Sequence, residues 1–84
     1  MAAWPNPASD EFYVALPYAP GAEDAVRAEV VDMAGRLVAV REMQQTGGLV
    51  MGMQGLRSLP PGAYMVRVHS ATRGLVGQAR MTRM

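Results

Sequence analysis

His69 is the chain's single histidine, and Ser9, Asp10, Asp24 and Ser70 are the hydroxyls and carboxylates from which a nucleophile, base and acid could be assembled around it. A chain of this length permits such a selection by composition alone, so the set carries little weight without mutual geometry. His69 falls on the outward face of an alternating stretch, with no cysteine in the chain and no carboxylate cluster beside it, which leaves a metal ion without a ligand set. Glu23 and Asp24 are adjacent carboxylates in a turn-rich loop, where they are expected to solvate the backbone rather than work as an acid/base pair. Glycines are scattered among turns instead of bridging a strand and a helix, so no phosphate cradle is expected. The reading is of a protein that is not an enzyme and takes no cofactor or metal.

Charge narrows the partners. The net charge is +1, and all eight basic residues are arginines, spread from Arg27 to Arg83. Nucleic-acid binding needs a concentrated basic face and is not expected. Without lysine, an internal isopeptide bond between Lys and Asn or Asp is excluded. No run approaches the ~20 apolar residues of a membrane-spanning helix, and no basic region followed by an apolar stretch opens the chain. Direct membrane insertion is therefore not expected, and the 84 residues read as one domain or a piece of a longer protein. A domain this small buries roughly 60% of its unfolded surface and, with no cysteine, must hold by packing alone.

The elements that position these residues read as strands. Val30 to Val38 is the tip of a β-hairpin: Asp32 suits the first corner of a type I turn, and Gly35 supplies the positive φ of a following bulge. Placing Asp32 opposite Arg36 pairs Val31 with Leu37, Val30 with Val38, Glu29 with Ala39, Ala28 with Val40 and Arg27 with Arg41. That register puts the even-numbered, apolar residues on a core face. The strands are expected over about 25–32 and 36–43, β-branched residues disfavouring a helix at Val26 to Val31.

Upstream, residues 1–10 form a Pro-containing lead-in, in which Pro5 and Pro7 bias Trp4 and Asn6 toward extended geometry, and 11–84 is the domain proper. Glu11 to Leu16 alternates with Phe12, Val14 and Leu16 on one face. Pro17 to Asp24 is a turn-rich connection with Tyr18 packed over it, and Gln44 to Gly48 is another. Leu49 to Gln54 is a strand with Met51 and Met53 as core filling. Leu59-Pro60-Pro61-Gly62 is a turn, followed by a strand from Ala63 to Ser70 with Tyr64, Val66 and Val68 inward and Met65, Arg67 and His69 outward. A turn at Ala71 to Gly74 leads into a last strand to Met84. About seven short strands without an amphipathic helix predict an all-β fold, an Ig-like antiparallel β-sandwich without the antibody disulfide.

Pro5-Asn6-Pro7-Ala8, Asp32-Met33-Ala34-Gly35-Arg36 and Leu59-Pro60-Pro61-Gly62-Ala63-Tyr64-Met65-Val66-Arg67-Val68, in this order and spacing, resemble the C-terminal sorting domain of type IX (Por) secretion, type A. The resemblance covers nearly the whole chain. It implies an Ig-like sandwich carried in cis by a cargo protein, exported to the periplasm and then across the outer membrane to the cell surface. There a sortase usually removes the domain while joining the cargo to anionic lipopolysaccharide. The chain departs from the family pattern at Gly55, where an acidic residue is common, and in its last strand, where Arg80 and Arg83 stand in a stretch that often carries lysine. Recognition by the outer-membrane translocon is expected at the last hairpin, through Arg67, Arg80, Met81 and Arg83. Pro5, Asn6, Pro7, Asp32, Gly35, Leu59, Gly62 and Tyr64 are expected to be mainly structural. An open edge on that hairpin also permits an edge-strand dimer. The competing reading is an adhesive or carbohydrate-binding module working through Trp4, Tyr13 and Tyr18.

Overall fold

In the computed structural model, which describes Met1–Met84, the strand Phe12–Ala15 turns Phe12 and Val14 inward and leaves Tyr13 and Ala15 half-exposed, as its period of two requires. The chain forms eight strands: β1 (Ala2–Trp4), β2 (Phe12–Ala15), β3 (Val26–Asp32), β4 (Leu37–Glu42), β5 (Gln44–Gly47), β6 (Val50–Met53), β7 (Gly62–Ser70) and β8 (Gly74–Arg83). One 3₁₀ turn, Leu56–Ser58, lies between β6 and β7. The strands form two antiparallel sheets, β1-β2-β6-β5 and β4-β3-β7-β8. Phe12, Val14, Met51 and Met53 of the first sheet and Val30, Val66, Val68 and Met81 of the second belong to one buried cluster, which makes the fold a β-sandwich. No helix is long and apolar enough to cross a membrane.

Six strands lie within about two residues of where the pattern puts them. β1 and β5 are additional. Ala2–Trp4, in the stretch read as a lead-in, pairs with β2, and Gln44–Gly47, read as a connection, pairs with β6. Both are edge strands with little apolar patterning, and their pairing comes from a neighbour already held by the core.

The hairpin tip forms as expected. Asp32 N donates to Arg36 O at 2.9 Å, Gly35 N donates to Asp32 O at 3.0 Å, and Gly35 adopts φ 87°. The Asp32 carboxylate accepts from the Ala34 and Arg36 backbone amides and pairs with Arg36 Nε at 3.0 Å. Val31 opposes Leu37, but the register then shifts by one: Val30 meets Ala39, Glu29 meets Val40, Ala28 meets Arg41 and Arg27 meets Glu42. The pairs expected below Val31 are corrected accordingly. Val38 is the extra residue of a bulge, and a bulge exchanges the two faces of a strand beyond it. Ala39 leans on the core, while Leu37, Val38 and Val40 stay 56%, 41% and 46% exposed.

Candidate recognition surfaces

The β7–β8 hairpin is the longest pairing in the molecule. Tyr64, Val66 and Val68 face the core from β7, and Met81 does so from β8 opposite Tyr64. Alternation then places Arg67 and Arg80 on the outer face, and the register, Arg67 opposite Gln78 and Met65 opposite Arg80, makes them diagonal neighbours. Both are exposed and neither guanidinium engages another side chain. Met81 is fully buried, so in the folded domain it is a core residue. Arg83 is half-buried and turned in, Nε donating to Leu56 O at 2.9 Å and Nη1 to Met84 O.

The lead-in crosses one end of the sandwich, from β1 in one sheet to the free edge of β8 in the other. Asn6 Oδ1 accepts from Thr82 N at 2.9 Å, Ala8 N donates to Thr82 O at 2.7 Å and Met84 N donates to Ala8 O at 3.0 Å. Ala8 is fully buried there, and the Trp4–Pro5 and Asn6–Pro7 peptide bonds are cis. Alternate residues of a strand direct their backbone groups to the same side. With Thr82 and Met84 facing the lead-in, Gln78 and Arg80 present theirs to an uncovered stretch of edge. Leu56 and Leu59 close the same end, and the Tyr64 hydroxyl donates to Pro60 O, four residues upstream, in the manner of a tyrosine corner holding the turn before Gly62.

The selection of catalytic types does not converge. Ser70 Oγ donates to Asp24 Oδ1 at 2.6 Å, but His69 leaves the opposite face of β7 and lies with Nε2 2.7 Å from Glu29 Oε1. His69 is thus half-buried against Glu29 instead of free in solvent, and its Nε2 makes no hydrogen bond. Asp24 also accepts from the Tyr18 hydroxyl at 2.9 Å, and the Arg73 guanidinium stacks 3.6 Å above the Tyr18 ring. This network ties the loop before β3 to the β7–β8 turn.

Those bonds give the fold an acid limit. The Ser70 hydroxyl beside Asp24 and the Arg36 amide beside Asp32 hold both carboxyls below the ordinary 3.8. As pH falls the unfolded chain takes up these protons first, so stability present above that value declines as pH passes down through the lowered folded values. The thermal midpoint is expected to be steady above about pH 5 and to fall below it, with a shallower fall in an Asp24→Asn, Asp32→Asn double variant. A profile unchanged by the double variant would contradict this.

A second surface lies on the outer face of the β1-β2-β6-β5 sheet. Trp4 opposes Tyr13, Tyr13 opposes Gly52 and Gly52 opposes Gln44, a row running across all four strands. The Trp4 and Tyr13 rings stack with centroids 6.1 Å apart and planes at 28°. Tyr13 lies flat across β6 because Gly52 has no side chain: a Cβ there would meet the ring at 2.8 Å. The Tyr13 hydroxyl donates to Glu11 at 2.6 Å, a bond that raises its pKa. Beyond the ring is a groove of about 280 Å³ lined by Tyr13, Glu42, Gln44, Thr46, Gly52, Met53 and Gln54. Tyr18 is not part of this surface, being engaged with Asp24 and Arg73. The groove went unread in the sequence because its floor is Gly52 and its wall is β5; the available signal was a glycine interrupting the Met51–Met53 alternation.

Fold and surfaces together define a small β-sandwich module whose distinctive chemistry lies on its sheet faces and edges, as in domains that are recognised or that bind. The family model of the secretion system C-terminal sorting domain matches residues 2–78, and the chain belongs to that family, the sorting signals of type IX secretion. The match stops before Ala79–Met84, the part of β8 that holds Arg80, Met81 and Arg83. No curated protein and no solved structure matches the chain. The family is one of sorting signals and not of enzymes, and membership implies a cargo in cis, dealings with the secretion machinery and export toward the cell surface or beyond.

Proposed function

We propose that the folded domain is the address read by the outer-membrane translocon, which takes the cargo from the periplasm to the cell surface, where a sortase removes the domain. Arg67 and Arg80 are the contacts, together with the uncovered β8 edge at Gln78 and Arg80. The carrying observation is that these two guanidinium groups sit diagonally on one outer face, exposed and unengaged, beside that edge. Strand addition supplies affinity through backbone hydrogen bonds, and the flanking arginines supply selectivity. Met81 and Arg83 act indirectly, through the core and through Leu56, and Pro5, Asn6, Pro7 and Ala8 confine the open edge to a short stretch.

Deleting Gln78 to Met84 would remove Met81 from the core along with the arginines, so charge reversal is the cleaner test. An Arg67→Glu, Arg80→Glu cargo fusion is expected to accumulate in the periplasm. Its thermal stability should stay within about 1 kcal/mol of the parent, since both positions are exposed and neither guanidinium is held in an ion pair, the one new repulsion being with Glu29 opposite position 67. Normal surface delivery of that variant would overturn the assignment.

A further inference from the structure

The Trp4–Tyr13 shelf and its groove have no part in the sorting contacts, which lie on the other sheet. The geometry points to a binding site there for a neutral carbohydrate. Three observations converge on that chemistry. The first is a pair of stacked aromatic rings, with Trp4 41% exposed and Tyr13 laid across the strand where Gly52 has no side chain. An aromatic face of this kind takes the C–H face of a sugar ring, whose weakly positive hydrogens meet the negative face of the π system.

The second is the rim. Gln44, Gln54, Thr46 and Glu42 line the groove with two amides, a hydroxyl and a carboxylate, groups that both donate to and accept from the hydroxyls of a polyol. Gln44 and Gln54 are exposed and unengaged, whereas Gln45, one residue along, is tied to Gly48 O. The third is charge and size. Glu11 and Glu42 are the ionisable carboxylates at the site and no arginine lines it, which disfavours an anionic ligand. The volume, about 280 Å³, sits at the lower end of small-molecule sites and suits a mono- or disaccharide unit of a longer chain. A proline-rich peptide would also stack on aromatic rings, but it offers few donors to satisfy a rim of amide and carboxylate oxygens.

Trp4 is the chain's single tryptophan, so its emission reports on this shelf alone. The intact domain is titrated with maltohexaose, cellohexaose and chitohexaose, and with decaproline as the peptide comparison. A saturable change in Trp4 emission is expected with at least one of the three sugars, and no saturation with decaproline. Tyr13→Ala is expected to weaken that binding about tenfold. Gln44→Ala with Gln54→Ala, two exposed positions outside the core, is expected to weaken it at least about fivefold at an unchanged thermal midpoint. The double variant decides the matter if Tyr13→Ala fails to fold. Absence of saturation with all three sugars, a response undiminished in the double variant, or saturation by decaproline alone would overturn the proposal.

Discussion

Phe12→Ala is expected to lower the thermal midpoint by about 15 °C or more. Phe12 is fully buried and sits on β2 between β1 and β6, opposite Met53, where it is among the largest side chains of the core. Truncating a buried phenylalanine costs about 3–5 kcal/mol, because the transfer energy is lost and the cavity left behind collapses only in part. An 84-residue domain has a margin of roughly 4–13 kcal/mol, and no disulfide supplements it here. Circular dichroism melting of the isolated domain checks the figure. A drop of only a few degrees would mean that the neighbouring methionines, Met51 and Met53, flow into the space.

Gly35→Val is expected to cost about 1–3 kcal/mol, since a β-branched residue is forced to hold φ 87°. The penalty falls on the turn that aligns β3 and β4, where Gly35 N donates to Asp32 O and the Asp32 carboxylate gathers the Ala34 and Arg36 amides. Export of a cargo fusion is expected to fall with the lost stability. Gly35→Asn, which tolerates the left-handed region, should retain most of both. Melting and surface delivery measured on the same pair of variants separate two roles. A Gly35→Val domain that stays folded and yet fails in delivery would show that the hairpin tip is itself read by the machinery.

The turn at Asp32 and Gly35 was legible because its causes are local: a short acceptor side chain, a glycine three residues on, and β-branched residues to either side. The strands carrying Phe12, Met51, Val66 and Met81 were legible for a similar reason, since each alternates within a handful of residues. The slip at Val38 was not. Val38 and Val40 are as apolar as any core residues, and nothing in the sequence distinguishes the register that exposes them from the one that buries them. The choice is made by Ala39 meeting the core across a bulge.

Partnerships that span the chain were hidden for another reason. Asp24 with Ser70, Glu29 with His69 and Asn6 with Thr82 are brought together by topology and carry no periodicity. Of the expected recognition residues, Arg67 and Arg80 could be assigned outward by alternation. Alternation along β8 puts Met81 on the face of Gly77 and Ala79, but the irregularity opposite Val68 and His69 turns Leu75 out of that face, which no local pattern shows.

The Asn6–Thr82 bond joins residues 76 positions apart, near opposite ends of the chain. That bond needs the lead-in and β8 both in place, so no local structure can form it alone. Until then the edge of β8 remains open over its full length and competent to pair with whatever strand is nearby. Capping is therefore partial and depends on the end of β8: without Thr82 to Met84 the Asn6–Ala8 lead-in has no partners and the whole edge is expected to invite aggregation, whereas with them only the stretch at Gln78 and Arg80 stays open.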